Sequence, residues 1–100
     1  MAELNYKREG EVLTVCPKGR LDTNTSPVFQ ASVEPLMEGV GLLRLDMAEL
    51  SYLSSAGLRV LLSLLQDMED RNGKMELCHV NESVRDVLDI TGLLDVLTIV

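Results

Sequence analysis

The sequence predicts an α/β fold in a single domain over residues 1–100: a mixed, mainly parallel sheet, an antiparallel hairpin at its N-terminal edge and about three main helices. Three observations lead there. Short apolar runs alternate with segments of helical periodicity, the first two runs are separated by little more than Glu9-Gly10, and glycines or prolines punctuate most boundaries. One hundred residues, 46% of them hydrophobic and 25% charged, suffice for one core and leave no room for a second.

The elements follow in order. Tyr6 to Arg8 and Val12 to Cys16 read as strands, and Pro17 limits the second because it cannot donate to a central ladder. After Gly19-Arg20-Leu21-Asp22, the cluster Thr23-Asn24-Thr25-Ser26-Pro27 reads as a turn feeding a helix. Ser26 is its expected cap, and Pro27 suits the first helical position, where a missing N–H costs nothing. Phe29, Val33, Leu36 and Met37 form an apolar stripe, Pro35 kinks or ends the helix, and Gly39 and Gly41 close it. Leu42 to Met47 reads as a buried central strand and Ala48 to Leu53 as a loop.

The next helix, from about Ala56 to Met68, is leucine-rich, with Leu58, Leu61, Leu62, Leu65 and Met68 expected on one face. Asn72-Gly73 stops it. Lys74 to Val80 reads as a strand, Glu82 to Ile90 as a short helix, and Val96 to Val100 as a last strand. Gly92 is placed to close the short helix in a left-handed conformation.

Nine Lys and Arg against sixteen Asp and Glu leave a net charge of -7. Such a balance opposes binding to nucleic acid, which needs a basic face, and to anionic membranes. No apolar run approaches the roughly 18 residues of a spanning helix, and Met1 to Tyr6 lacks the features of a secretion signal. A cytoplasmic location is the expectation. Cys16 and Cys78 lie in apolar stretches and read as small buried hydrophobes in a reducing compartment.

The usual machinery of catalysis is thin. His79, the one histidine, falls in a predicted strand and reads as structural. Leu53-Ser54-Ser55-Ala56-Gly57 has leucine where a nucleophile elbow needs its first glycine. No phosphate-cradling glycine loop occurs, and no His or Cys pair has zinc spacing, so no metal or cofactor is expected. A binding module is favoured over an enzyme.

The loop-to-helix junction around Ser54 and Ser55 is the most informative segment. On the plain reading one of these serines caps the helix. The same geometry exposes a hydroxyl beside unpaired backbone amides, where a phosphate would meet the favourable end of the helix dipole. Phosphorylation there adds about -1.5 to -2 charges to a surface without unfolding it. Capping and switching are compatible.

The run from Leu45 through Asp46, Ser54, Ser55, Ala56, Gly57, Leu58 and Arg59 to Leu62 resembles the signature of the STAS family, whose soluble bacterial members are anti-sigma factor antagonists. Gly19-Arg20-Leu21-Asp22 matches the Gly-x-Leu-Asp turn of that family, and Thr25-Ser26-Pro27 opens the following helix as in its members. The resemblance implies that Ser55, two residues before Gly57-Leu58, is the phosphorylated serine. It implies that Asp46, ending the central strand, lies near that serine, and that Asp22 contributes to the same partner-facing surface, which takes in Asp46, Ser54, Ser55, Ala56, Gly57, Leu58 and Arg59. By the same analogy the unphosphorylated protein binds a serine kinase that doubles as an anti-sigma factor, releasing the sigma factor. Phosphorylation at Ser55 dissociates it, and a metal-dependent serine phosphatase restores it.

One position departs from the common pattern. Many relatives carry Asp before the accepting serine, whereas this chain has Ser54, which becomes a second candidate acceptor. Arg59, four residues after Ser55, can lean back along the helix toward it, or serve only as an exposed solubilising charge. Apart from the resemblance, Asp22 and Asp46 read as turn-stabilising, through backbone hydrogen bonds that Asp makes at such positions. Two other functions compete with the switch: a scaffold of the same fold used without phosphorylation, and a small serine hydrolase using Ser55.

Overall fold

The computed structural model describes residues 5–100, and the expected alternation of strands and helices is present. Strands β1 (Asn5–Glu9) and β2 (Val12–Cys16) form the hairpin, antiparallel from Asn5 opposite Cys16 to Glu9 opposite Val12. Gly10 turns it with φ +61, a left-handed angle that glycine adopts without steric cost. Strands β4 (Leu42–Asp46), β6 (Lys74–Cys78) and β7 (Thr98–Ile99) extend the sheet in parallel, giving the order β1-β2-β4-β6-β7. The mixed, mainly parallel sheet with a hairpin edge is therefore as expected.

Two short strands were not anticipated. Gly19–Leu21 (β3) and Leu50–Leu53 (β5) pair in parallel as a separate two-stranded sheet, so the segment expected to be a loop is largely strand. Its burial runs inward at Leu50 and Leu53 and outward at Ser51 and Tyr52.

The three helices are α1 (Ser26–Val33), α2 (Ser55–Asp70) and α3 (Glu82–Ile90). Alternation along β2, β4 and β6 divides the main sheet into two faces, because side chains of successive strand residues point opposite ways. Leu13, Val15, Leu43, Leu45, Met75 and Leu77 belong to the buried core with Phe29 of α1, Leu61 and Leu64 of α2 and Leu88 of α3. The opposite face, with Thr14, Arg44 and Glu76 along its middle, is partly open to solvent. There the guanidinium Nε of Arg44 donates to Glu76 Oε1 at 2.6 Å across adjacent strands.

Several expectations shift in detail. Ser26 does not cap α1; it is the first helical residue, its hydroxyl buried with no partner among the described residues. Asp22 organises that turn instead, its carbonyl accepting from the Ser26 amide at 3.0 Å. Pro35 sits in a 3-10 turn, Glu34–Leu36, that ends the helix as the proline requires. On α2, Leu58, Leu61 and Met68 are buried, but Leu62 is exposed and Leu65 half-buried, while Val60 and Leu64 take the inner positions. The buried stripe is rotated about the helix axis from the expected one. Cys16 and Cys78 are half-buried rather than core. His79 lies just past β6 at φ +54 rather than within the strand. Gly92 takes the expected left-handed conformation, at φ +78.

Among the described residues no helix is long and apolar enough to cross a membrane. Leu45, fully buried in the central strand, tests the core directly. Leu45→Ala is expected to cost about 2–5 kcal/mol, through lost burial and a cavity. Urea unfolding should show a lower midpoint at unchanged slope, and a loss below about 1 kcal/mol would contradict this packing.

Candidate functional site

The N-terminus of α2 is built from non-local pairing. Leu21 lies opposite Leu53 in the β3–β5 ladder, bringing the end of one strand beside the start of the helix. The carbonyl of Leu21 accepts from the Ser54 amide at 2.9 Å and from the Ser54 hydroxyl at 3.0 Å. Ser54 Oγ in turn accepts from the Gly57 amide at 3.3 Å, which makes Ser54 the N-cap. Both hydrogen-bonding capacities of that hydroxyl are committed, and the residue is half-buried.

Ser55 is the first residue of α2 and is exposed. Its hydroxyl makes no hydrogen bond among the described residues, and the Ser55 and Ala56 amides, at the first two helical positions, lack intrahelical acceptors. The plain and the sharper readings thus separate by residue. Ser54 caps, and Ser55 presents.

Gly57 and Leu58, grouped with the partner-facing residues in the sequence, are buried. Their part is to shape the junction from below. A Cβ added at Gly57 would lie 2.6 Å from Leu53 Cδ1 and 2.8 Å from the Leu21 carbonyl oxygen. Only glycine lets the first turn of α2 approach β3 and β5 so closely. Ala56 is half-buried, and Arg59, one turn beyond Ser55, is exposed with no hydrogen bond or ion pair among the described residues.

Asp22 follows Leu21 directly and so borders the junction. Its Oδ1 accepts from the amides of Asn24 at 2.9 Å and Thr25 at 3.0 Å. The Thr25 and Asn24 amides, chiefly, hold the carboxyl below its ordinary value. The turn-stabilising role is thus real, and the other oxygen, Oδ2, lies 3.6 Å from Arg20 Nε. Arg20 also stacks over the Tyr52 ring, 4.1 Å from its centroid, opposite it in the β3–β5 ladder. This exposed cation–π pair sits on the β3–β5 ladder that leads into α2, and the sequence does not reveal it because neither strand shows a strand's pattern.

Asp46 ends β4. Its contacts are with His79, whose Nδ1 is 2.9 Å from Oδ1, and with the Ala48 amide at 3.1 Å. No hydrogen bond joins it to Ser54 or Ser55, and its link to them runs through the chain from β4 into β5. Partial burial pushes its carboxyl upward, but the bonds from His79 and Ala48 together bring it net below the ordinary value. Stability contributed by Asp22 and Asp46 is therefore present at neutral pH and lost as pH falls through those lowered values.

A shallow cleft lined by Glu11, Gly39, Val40, Gly41, Arg71 and Asn72 opens at the far end of α2, and none of the candidate residues lines it. The site is an exposed helix start on a small strand pair, a surface suited to docking.

Fold and junction together define a class. The chain belongs to the STAS domain family, whose profile matches residues 3–100. It is similar to the anti-sigma-B factor antagonist of Bacillus subtilis (strain 168), 31% identical over 96 residues that span 96% of this chain and 88% of the relative. The anti-sigma-B factor antagonist of Listeria monocytogenes serovar 1/2a is 27% identical over 95 residues, 93% of this chain and 82% of its own. In fold it is similar to the anti-sigma factor antagonist SpoIIAA in its unphosphorylated form, with TM-score 0.83 at 19% identity over 98% of this chain and 88% of that one.

Gly57→Ala tests the close approach. In an exposed helix interior this substitution ordinarily stabilises by about 1 kcal/mol; here overpacking should reverse the sign and destabilise by about 1–3 kcal/mol. A variant at least as stable as the parent in urea would show that the junction has room to spare.

Proposed function

We propose that this protein is an anti-sigma factor antagonist, a binding module switched by phosphorylation at Ser55. In the unphosphorylated state the start of α2 docks on a serine kinase that is also the anti-sigma factor, and the sigma factor is released. Phosphorylation of Ser55 ends the docking, and a metal-dependent serine phosphatase reverses it, all in the cytoplasm. The protein itself performs no catalysis in this scheme.

The observation that carries the reading is the exposure of the Ser55 hydroxyl beside a capped, rigid helix start. A kinase can reach it without opening the fold. The added phosphate would face the Ser55 and Ala56 amides and the positive end of α2, so the fold tolerates it. The partner would not, since it must approach the same few ångströms of surface. Ser54 is the poorer acceptor, because its hydroxyl already donates to Leu21 and accepts from Gly57. Relatives of this chain named as anti-sigma factor antagonists support the output, and SpoIIAA, which has the same fold, has been solved in phosphorylated form with TM-score 0.74.

Binding to the anti-sigma kinase encoded in the same genome, measured by calorimetry, supplies the test. Ser55→Ala should bind like the parent and take up no phosphate from ATP, whereas Ser55→Asp should bind at least ~10-fold more weakly, from charge placed against the docking surface. Parental affinity in Ser55→Asp would instead favour a scaffold that works without modification.

Arg59, exposed and without an ion-pair partner, is the cation nearest in sequence to Ser55 on the helix. Arg59→Ala is expected to change kinase affinity or the rate of Ser55 phosphorylation several-fold while leaving the unfolding midpoint in place. Unchanged values for both would remove Arg59 from the site.

A further inference from the structure

The C-terminal edge of the open sheet face gathers three metal-ligating side chains. Asp46 of β4 and Cys78 of β6 are register partners, so their side chains emerge side by side on the same face. His79 follows at φ +54, a left-handed angle rare outside glycine, and it turns the ring back toward Asp46. Its Nδ1 stands 2.9 Å from Asp46 Oδ1, and the ligand atoms of Asp46, Cys78 and His79 all lie within 4.8 Å of one another. We propose that Asp46, Cys78 and His79 form a binding site for a single zinc-class divalent cation, independent of the Ser55 switch.

The donor set decides the cation class. Thiolate, imidazole and carboxylate together suit zinc or cobalt, whereas magnesium and calcium call for oxygen ligands alone. Zinc bonds of about 2.0–2.3 Å put tetrahedral donors about 3.3–3.7 Å apart. To reach that spacing the 2.9 Å His79–Asp46 contact opens slightly while the more distant donors draw in, and the His79 side chain, 67% exposed, has solvent on its open side to adjust.

The frame beneath is fixed. The Cys78 carbonyl accepts from the Met47 amide at 2.9 Å, tying the two strand ends together, and the Ala48 amide orients the Asp46 carboxylate. Arg44, the nearest cation on this face along β4, is engaged by Glu76 and does not compete. Three protein donors leave the fourth position open to water. On coordination the Cys78 thiol gives up its proton to solvent as the S–metal bond forms; the neutral His79 ring moves its Nδ1 proton to Nε2 through solvent, so that the Nδ1–H···Oδ1 bond to Asp46 is replaced by bonds from Nδ1 and the carboxylate to the ion.

Cobalt(II) titration of the reduced, metal-free full chain, followed by zinc competition, tests the site. The expected result is a thiolate-to-cobalt charge-transfer band saturating at one equivalent and bleached by zinc. Cys78→Ser should abolish the band. His79→Asn, which keeps a residue tolerant of positive φ, should weaken cobalt binding at least ~10-fold with an unchanged far-ultraviolet spectrum. Cys16→Ser should keep the band. No band at stoichiometric cobalt, or a band that survives at parental affinity in His79→Asn or depends on Cys16 rather than Cys78, would overturn the proposal.

Discussion

The carbonyl of Leu21 is the point on which the junction turns. It receives two hydrogen bonds from Ser54, one from the amide and one from the hydroxyl, and it is the backbone atom that a side chain at residue 57 would strike, alongside Leu53 Cδ1. Backbone carbonyls have two lone pairs, and here both go to the residue that caps α2. The cap thus fixes the helix start to β3 as well as to its own first turn. Ser55, the next residue along the helix, inherits its position from this contact.

Why the junction was only half legible in the sequence follows from the same contact. Sequence reading found a serine-capped helix start, because serine followed by a leucine-rich periodic run has few other interpretations. It could not choose between Ser54 and Ser55, since either can cap and helix boundaries are the least determined feature of a single sequence. The choice is made by β3, which offers its acceptor to Ser54 alone. Strand β3 has three residues and β5 four, with glycine, serine and arginine among them, so neither shows the apolar alternation that reveals a strand. Their pairing partner is what makes them strands.

Elsewhere legibility tracked the strength of the local signal. The hairpin, the central strand, the three helices and the left-handed Gly92 were read correctly because their apolar period or turn chemistry is unambiguous. The phase of α2 was not, because leucine or valine at six of the eight positions from Leu58 to Leu65 leaves the buried face undefined until α1 and the sheet pack against it. The grouping of Asp46 with His79 was invisible for a different reason. Those residues are 33 apart in the chain, and only the β4–β6 register brings them together. Asp46 stands out in the sequence for its place at a strand end, whereas nothing local marks Cys78 and His79 as its neighbours.

Strand β1 carries a consequence of its own. All five of its residues are exposed, and it forms one rim of the main sheet, where unpaired backbone groups could recruit a foreign chain. Lys7 and Glu9 pair with each other there at 3.0 Å, and Arg8 reaches across to the carbonyls of Gly10 and Glu38. A newcomer laid along this rim would have to strip water from both charges and displace the arginine. That cost opposes strand-on-strand self-association along this border.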